Sequence, residues 1–312
     1  MKNRLIDIIC IGESLIDFIG TQPEHPIHQI KDYHRYLGGS PTNVAMNMAR
    51  LGLNVEMISA VGNDGFGKYI RDRLGENEVK HDGIRISDSE PTTVIFVSRT
   101  VATPEFVALR GADAEILPLQ ITDEKLKQAK IFHTSCFALS RQPARNTILD
   151  AAERAANLGC QLSIDINYSE QIWPDTREAK LAITRFCGFN PIVKVSQDDV
   201  DRLFGEGMSH EQIFNYLHDL GVDLVCLTLG KDGAKLSERN HPVLELSALK
   251  VEKIMDATGA GDAFWSGFLF AWLKGKPKQK CMEAALQMAA IKLQNVGRIP
   301  DFADVISDVL KI

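Results

Sequence analysis

The stretch of sequence with the clearest chemical content is a loop of small residues that runs directly into an apolar helix. It spans residues 256–265 and has the sequence DATGAGDAFW. Gly259, Ala260 and Gly261 leave little side chain over their backbone, so their N–H groups can point at an anion at the start of the helix. This loop therefore predicts a phosphate site.

An acidic residue, Asp262, stands at the end of this loop. A carboxylate beside phosphate oxygens repels them, so its presence there needs a reason. Phosphoryl transfer to an alcohol supplies one, because that reaction needs a positioned base to accept the proton of the attacking hydroxyl. The alternative is that Asp262 caps its helix, a common use of Asp near a first turn. The local sequence leaves both interpretations open.

A second loop that permits close approach of a ligand has the sequence GGSPTN at residues 38–43. Gly38 and Gly39 allow backbone contact with a ligand, and the Asn43 amide can donate and accept hydrogen bonds to hydroxyls. The alternative is a helix N-terminus with a flexible entry. Here too the local sequence leaves both interpretations open.

A third glycine-containing stretch, GNDGFGKY at residues 62–69, satisfies part of the phosphate-loop pattern G-x-x-x-x-G-K. The next residue is Tyr69 instead of the Ser or Thr whose hydroxyl holds magnesium, and Asp64 stands where phosphates would lie. We therefore predict a structural turn at this position.

The composition is that of an ordinary folded protein of 312 residues, with 45% hydrophobic and 24% charged residues. A formal net charge of −6 without clustered Lys and Arg argues against a nucleic-acid partner. The six cysteines are scattered and form no C-x-x-C pair, which indicates a reducing compartment and no structural zinc. No apolar stretch approaches the roughly 20 residues that span a bilayer, so we expect a cytoplasmic protein without a membrane partner.

Short β-rich runs alternate with helical segments, the pattern of a parallel sheet covered on both faces. The predicted strands lie at residues 6–11, 56–61, 130–134, 161–166, 192–195 and 224–229. The predicted helices lie at residues 43–51, 66–76, 143–158 and 210–220. These elements predict an α/β fold with a doubly wound, mostly parallel sheet, in a single domain over residues 1–312.

Two regions, about residues 14–36 and 92–112, break this alternation because β-branched residues recur there without an intervening helix. Antiparallel ribbons fit both regions. Since the two regions flank the first long helix, we infer a small β-sheet lid inserted into the larger domain.

These loops, in this order and at this separation, resemble the ribokinase-like carbohydrate kinases of the PfkB family over essentially the whole chain. The matching patterns are Gly38-Gly39 with Asn43 and ARLG at residues 49–52, the turn at residues 62–67, and DATGAGD at residues 256–262. The last pattern is the most specific. The resemblance implies a ribokinase-like fold and ATP-dependent transfer of the γ-phosphoryl group to a sugar hydroxyl.

The resemblance also implies roles for individual residues. Asp262 would be the base for the sugar hydroxyl, and the amides of residues 259–262 would form the anion hole. The residues that would bind the sugar hydroxyls are Asp17, Gly38, Gly39 and Asn43. Arg110 would reach the sugar or its phosphate from the lid, and a solvated lid charge is the alternative for this residue.

A nucleotide and its metal ions are implied in the same way. The positions that match the nucleotide-binding segments are Lys194, Thr228, Gly230, Gly233 and Asn295. Magnesium would accompany ATP, because the metal neutralises charge on the β and γ oxygens. The candidate metal-site residues are Asp199, Asp256 and Thr258, and the last two match positions that help hold a monovalent cation, K⁺, in some members.

The chain departs from the family pattern at two places. The N-x-x-E motif that helps organise the magnesium shell would align with SQDD at residues 196–199, so Ser196 replaces its asparagine and Asp199 its glutamate. The D-x-N-x-R pattern occurs as DINYS at residues 165–169, so Ser169 replaces its arginine. Any phosphate contact from that arginine must come from elsewhere or be absent.

The loop at residues 39–41 and the stretch that includes Thr103, Pro104 and LRGAD at 109–113 look most like the bacterial fructokinase branch. The resemblance thus favours phosphorylation of fructose to fructose 6-phosphate. Kinases for 2-keto-3-deoxygluconate and 5-dehydro-2-deoxygluconate are the alternatives, because Arg110 could also pair with their acids. A non-catalytic sugar-binding regulator on the same fold is a third. The edges of an exposed lid suggest a homodimer.

Overall fold

The computed structural model describes residues 4–100, 105–297 and 302–310, and its main body is an α/β structure. Thr103 and Pro104 of the predicted lid lie outside the described residues. The strands are β1 (Ile6–Ile11), β2 (Leu15–Pro23), β3 (Tyr33–Gly38), β4 (Val55–Gly62), β5 (Lys80–Ser87), β6 (Val94–Arg99), β7 (Phe106–Leu109), β8 (Ala129–Ser135), β9 (Gln161–Ile166), β10 (Ile192–Ser196), β11 (Leu224–Thr228), β12 (Ala234–Glu238) and β13 (Leu244–Leu246).

The helices connect these strands and cover the sheet. They are α1 (Ser40–Arg50), α2 (Gly65–Glu76), α3 (Asp123–Gln128), α4 (Ala144–Asn157), α5 (Thr176–Cys187), α6 (Gln197–Phe204), α7 (His210–Asp219), α8 (Ala260–Leu273), α9 (Lys278–Leu293) and α10 (Ala303–Leu310). None of these described helices is long and apolar enough to cross a lipid bilayer.

Within the described residues, the large sheet has nine strands in the order β13-β12-β11-β10-β9-β8-β1-β4-β5. The strands from β11 to β5 pair in parallel, and β12 and β13 are added antiparallel at one edge. The central strands are buried along nearly their whole length, and β1, with the sequence IDIICI, is apolar except for Asp7. Such runs are typical of parallel strands that are buried on both faces.

Two apolar cores lie on opposite faces of the large sheet. One contains buried side chains of α4, α5 and α7, such as Ile148, Phe186 and Ile213. The other contains side chains of α1, α2, α8 and α9, such as Phe268 and Met282. Helix α8 buries residues all round its circumference, since it packs against both α1 and α9. Its N-terminus is thereby held beside that of α1.

A smaller sheet of the described residues has the order β3-β2-β6-β7. Strands β2 and β3 form one antiparallel ribbon, β6 and β7 form another, and β2 and β6 join the two in parallel. Its apolar interior includes a stacked pair of rings, Phe18 and Phe96, whose centroids are 5.1 Å apart. The small sheet expected from the sequence is therefore present beside the large one.

The predicted α/β fold with a mostly parallel sheet is confirmed, and all six predicted strands and four predicted helices are found within a few residues of their expected bounds. The prediction missed edge strands. Strand β5 has the polar sequence KHDGIRIS, and β12 and β13 are short antiparallel additions. Edge strands lack the continuous apolar pattern of buried strands, so the sequence indicates them weakly.

Candidate active site

The candidate site lies at the carboxyl ends of the parallel strands. The chain builds the sheet from β1 toward β5 in one direction and from β8 toward β11 in the other, so the strand order reverses beside β1. Such a reversal opens a crevice in which α/β proteins bind ligands. Glu13 and Asp17 follow β1 along the chain, and the N-termini of α1 and α8 face the same crevice.

Asp262 lies in the first turn of α8 and is half-buried. Its carboxylate accepts hydrogen bonds from two residues of α1, because Ser40 Oγ lies 2.6 Å from Oδ1 and Asn43 Nδ2 lies 2.8 Å from Oδ2. Burial raises the pKa of Asp262, and these two hydrogen bonds act in the opposite direction. The helix-cap alternative is wrong, since the N-cap of α8 is Gly259 and both Asp262 oxygens bond to α1.

The backbone of the small-residue loop has two kinds of N–H group. Gly259 has a left-handed backbone with φ of 74°, and the Ala260 N–H donates to the Ala257 carbonyl at 3.1 Å. Gly261 and Asp262 follow in the first helical turn, where N–H groups have no intrahelical acceptor. Their amides are therefore the donors that an anion at this helix end could use, whereas the Ala260 amide already closes a turn.

A buried ion pair lies directly under this loop. Lys194 Nζ is 2.9 Å from each Asp165 oxygen, and the two residues face each other across β9 and β10. Burial lowers the pKa of Lys194, but the charges of Asp165, Asp199 and Asp262 outweigh this effect and the pKa is raised. A Cβ added at Gly261 would lie 2.8 Å from Lys194 Nζ. Any larger residue at this position would require the ammonium to shift away from the loop.

Asp17 lies on β2 and lines a cavity that Asn43, Asp256 and Gly259 also line. Burial, followed by the charges of Asp262 and Asp256, raises the pKa of Asp17 to about 7. A Cβ added at Gly38 would lie 2.2 Å from Asp17 Oδ2, so this glycine makes room for the carboxylate. The sequence predicted that Asp17, Gly38 and Asn43 belong to one site, and the structure brings them together.

Glu13 is a residue of the site that the sequence analysis missed. It is buried, accepts a hydrogen bond from the Ser40 N–H at 2.9 Å and another from Ser135 Oγ at 2.8 Å. Burial raises the pKa of Glu13 to about 8. Gly39 beside it has φ of 101°, a conformation that favours glycine. Glu13 therefore holds the start of α1 in place, and its position directly after an apolar strand was the available indication.

Asp256 is paired with a second residue that the sequence analysis missed, Lys292 in the last turn of α9. Lys292 Nζ lies 3.4 Å from Asp256 Oδ2 and 3.0 Å from the Asn295 carbonyl oxygen. The other Asp256 oxygen accepts the Thr258 N–H at 3.0 Å. Burial lowers the pKa of Lys292, and the contact with Asp256 opposes that shift. A lysine within an ordinary helical pattern gives no sequence indication of such a partner.

Arg110 lies just after β7 and its side chain is only 3% exposed. Its guanidinium pairs with the Asp113 carboxylate, donates to Ser140 Oγ at 2.9 Å and stacks on the Phe137 ring at 4.1 Å. The solvated-charge alternative is therefore wrong. The guanidinium joins the end of the small sheet to a segment that follows β8.

The remaining candidate residues lie at or after the carboxyl ends of β10 and β11. Thr228 ends β11, and Gly230 and Gly233 have positive φ in the turn toward β12. The Asp199 carboxylate pairs with Arg202 at 2.8 Å and accepts a hydrogen bond from Ser196. Among the described residues, no group of three or more His, Cys, Asp or Glu side chains could hold a metal ion by itself.

The partial phosphate-loop pattern is a structural turn, as expected. Asp64 is the N-cap of α2 and accepts hydrogen bonds from the Phe66 and Gly67 N–H groups at 2.9 and 2.8 Å. It also accepts the Thr92 N–H at 2.8 Å, which ties the turn to the start of β6. Burial is the largest single effect and acts to raise the pKa of Asp64, but the hydrogen bonds from Thr92, Gly67 and Phe66 together outweigh it and the pKa is lowered.

Comparison with known proteins adds independent evidence. A model of the pfkB family carbohydrate kinases matches residues 5–304. The chain is 34% identical over 306 residues to the ATP-dependent 6-phosphofructokinase of Thermoanaerobacterium thermosaccharolyticum. The aligned region covers 97% of this chain and 92% of that protein. It is 30% identical over 322 residues to Fructokinase-1 of Oryza sativa subsp. japonica, covering 100% of this chain and 99% of the relative.

A solved structure gives the same result for the fold. The fructokinase of Halothermothrix orenii superposes with a TM-score of 0.77 at 32% sequence identity, covering 94% of this chain and 99% of that one. The ribokinase-like fold expected from the sequence is thereby confirmed. The chain therefore belongs to the pfkB family of carbohydrate kinases, and it is an ATP-dependent sugar kinase.

Proposed function

We propose that this kinase phosphorylates fructose with ATP, at the hydroxyl that gives fructose 6-phosphate. The proposed phosphoryl transfer is supported by the position of the Asp262 carboxylate. Two side chains of α1 hold this carboxylate at the N-terminus of α8. The choice of fructose is supported by relatives that are named fructokinases and match 30–32% of residues over nearly the whole chain.

The proposed reaction uses Asp262 as the base. The sugar hydroxyl oxygen attacks the γ-phosphorus, the bond from that phosphorus to the bridging oxygen of ADP breaks, and the hydroxyl proton passes to the Asp262 carboxylate. The amides of Gly261 and Asp262 would stabilise charge on the transferred phosphoryl group. The ammonium of Lys194, beside Gly261, would add a fixed positive charge at the same place.

The sugar would lie between the small sheet and the N-terminus of α1. Asp17 would accept hydrogen bonds from two sugar hydroxyls, Gly38 and Gly39 would allow close approach, and Asn43 would contact a hydroxyl while holding Asp262. The small sheet would act as a lid that excludes water, so that the sugar attacks the phosphate. Because Arg110 joins the small sheet to Ser140, we assign it to positioning this lid.

ATP would occupy the opposite side, beside the nucleotide set Lys194, Thr228, Gly230, Gly233 and Asn295. Mg²⁺, when bound with the nucleotide, neutralises charge on its β and γ oxygens. A single carboxylate would be enough for such an ion, since magnesium sites use one or two carboxylates together with substrate phosphates, and the Asp199 carboxylate would exchange its contacts with Arg202 and Ser196 for the metal. Asp199 is the residue we assign to it, through its carboxylate at the start of α6.

A second candidate substrate is fructose 6-phosphate. The 34% identical relative named a 6-phosphofructokinase favours it. So does the cavity lined by Asp17, because two arginines line it as well: Arg50 and Arg73, of which Arg73 pairs with the exposed Glu76 and would contact a sugar phosphate in addition. The acids 2-keto-3-deoxygluconate and 5-dehydro-2-deoxygluconate are less favoured, since the Arg110 charge expected to bind them is already paired with Asp113.

The test is an assay of ADP release with each acceptor at equal concentration. Acceptors would be fructose, fructose 6-phosphate, ribose, tagatose and the two deoxy-keto acids. We expect kcat/KM for fructose to exceed that for the others by about tenfold or more. A higher kcat/KM for fructose 6-phosphate would select the second candidate, and a sugar acid as best substrate would overturn both.

We also propose a homodimer that pairs through the small sheet. Strand β7 lies at the edge of this sheet, and its residues Val107 and Leu109 are 45% and 57% exposed. An exposed apolar edge strand is a template for pairing with a second copy. A mass measurement in solution should give twice the monomer mass for the wild type. The monomer mass at assay concentration would remove this proposal.

A further inference from the structure

We propose that the ammonium of Lys292 takes the place of the monovalent cation expected beside Asp256 and Thr258, so that the kinase works without K⁺. The inference rests on the proposed catalytic role of the loop that begins at Asp256. It concerns Lys292 as a positioning residue, since the side chain acts on the loop through Asp256.

The contacts of Lys292 are those that a cation would make. Its Nζ lies 3.4 Å from an Asp256 carboxylate oxygen and 3.0 Å from the Asn295 carbonyl oxygen. Oxygen atoms of this kind, from carboxylates and backbone carbonyls, are the ligands that hard cations prefer. The chain therefore already supplies a positive charge to the oxygen atoms that a potassium ion would use.

Both partners are withdrawn from water, since Lys292 is 5% exposed and Asp256 is 1% exposed. A buried charge is stable only when it is paired and hydrogen-bonded. An added K⁺ beside this ammonium would meet like-charge repulsion with little solvent to screen it. The residues present therefore do not fit a potassium ion while Lys292 is in place.

The pair is connected to the catalytic loop by two contacts. The second Asp256 oxygen accepts the Thr258 N–H at 3.0 Å, which fixes the turn that leads into Gly259. On the other side, a Cβ added at Gly259 would lie 3.7 Å from Lys292 Cε, so the lysine stem packs against this turn. Lys292 thus holds the loop in position at Asp256 and at Gly259, which is three residues before Asp262.

A buried ion pair that serves folding alone is the competing explanation, and it makes a different prediction about salts. We compare kcat in KCl and in tetramethylammonium chloride at an ionic strength of about 0.1 M. If Lys292 replaces the cation, the wild type changes by less than about twofold between the two salts. A rise of about tenfold in KCl for the wild type would overturn the proposal. This measurement needs no variant.

The decisive variant is Lys292→Ala, which vacates the space and leaves Asp256 unpaired. We expect its kcat to fall by about tenfold or more in tetramethylammonium chloride and to recover largely in KCl. Lys68→Met, which removes an exposed surface ion pair, is the matched control and should show neither effect. If Lys292→Ala loses activity equally in both salts, the lysine has a folding role only and the proposal is wrong.

A thermal readout separates this proposal from the substrate assignment. The melting temperature of Lys292→Ala should rise in KCl relative to tetramethylammonium chloride, because K⁺ would bind the folded state beside Asp256. The melting temperature of the wild type should be the same in both salts. A wild type stabilised by K⁺ would contradict the proposal, whichever sugar proves to be the substrate.

Discussion

Ser40 Oγ lies 2.6 Å from Asp262 Oδ1, although 222 positions of the chain separate the two residues. The contact joins the N-termini of α1 and α8, which pack against each other along the same face of the large sheet. It orients the carboxylate that we assign as the base. The backbone N–H of Ser40 in turn donates a hydrogen bond to the Glu13 carboxylate. The base is therefore positioned by a series of connected hydrogen bonds.

Removing the hydroxyl in Ser40→Ala should therefore lower kcat with little effect on the KM for ATP. A hydrogen bond to a charged group contributes about 1.5–3 kcal/mol, so we expect a fall in kcat of about tenfold or more. Steady-state kinetics would measure it. Thr122→Ala, which removes the side-chain cap of α3 outside the site, is the control and should leave kcat unchanged. Equal kcat for Ser40→Ala and wild type would show that Ser40 does not orient the base.

Gly38→Ala should weaken sugar binding. The added Cβ would lie 2.2 Å from Asp17 Oδ2, so the carboxylate must move away from its place in the cavity. We expect the KM for the sugar to rise by about tenfold, while the Kd for ATP stays the same. Gly65→Ala is the matched control, because a Cβ there meets no atom within 4 Å. An unchanged sugar KM in Gly38→Ala would contradict the role given to Asp17.

The pKa of Asp17, raised to about 7, predicts a pH dependence of sugar binding. The ionised carboxylate accepts hydrogen bonds from two hydroxyls more strongly than the neutral acid does, so kcat/KM for the sugar should rise as the pH increases through about 7. A profile of kcat/KM from pH 5 to 9 would test this. A profile that is flat across neutral pH would show that Asp17 is not the group that binds the sugar.

The same shift makes Asp17 unfavourable for stability at neutral pH. A carboxyl whose pKa is higher in the folded than in the unfolded state loses stability as the pH rises from its unfolded value, 3.8, toward about 7. Asp17→Asn should therefore melt at a higher temperature than wild type at pH 8, by about 2–4 °C, although it is inactive. The difference should shrink as the pH falls toward 4. A lower melting temperature at pH 8 would contradict the shift.

The buried part of the fold was predictable because its pattern is strong. Strand β1 is apolar except for Asp7, β9 alternates apolar and polar residues, and the glycines after α4 and α7 mark helix ends. The polar edge strand β5 was missed because its sequence alternates poorly and carries charges. Edge position is a property of the assembled sheet, which a local pattern does not contain.

The candidate site was predictable to the extent that its residues lie in loops with a chemical pattern. Asn43 and Asp262 were identified in this way, whereas Asp17, which lies on β2, was identified from the resemblance to the family. Glu13 and Lys292 were missed, because their roles depend on partners far away in the chain. Lys292 meets Asp256 only after α9 has packed against α8. Arg110 was assigned to the sugar, and its pairing with Asp113 could be found only from the folded structure.

The most direct test of the catalytic assignment is Asp262→Asn, which keeps the size of the side chain and removes its ability to accept a proton. We predict that the variant binds ATP and the sugar with Kd values close to those of the wild type, while kcat falls by about 10²–10⁴-fold. Asp72→Asn, at an exposed ion pair on α2, is the control and should retain full activity. Near-normal turnover by Asp262→Asn would contradict the account.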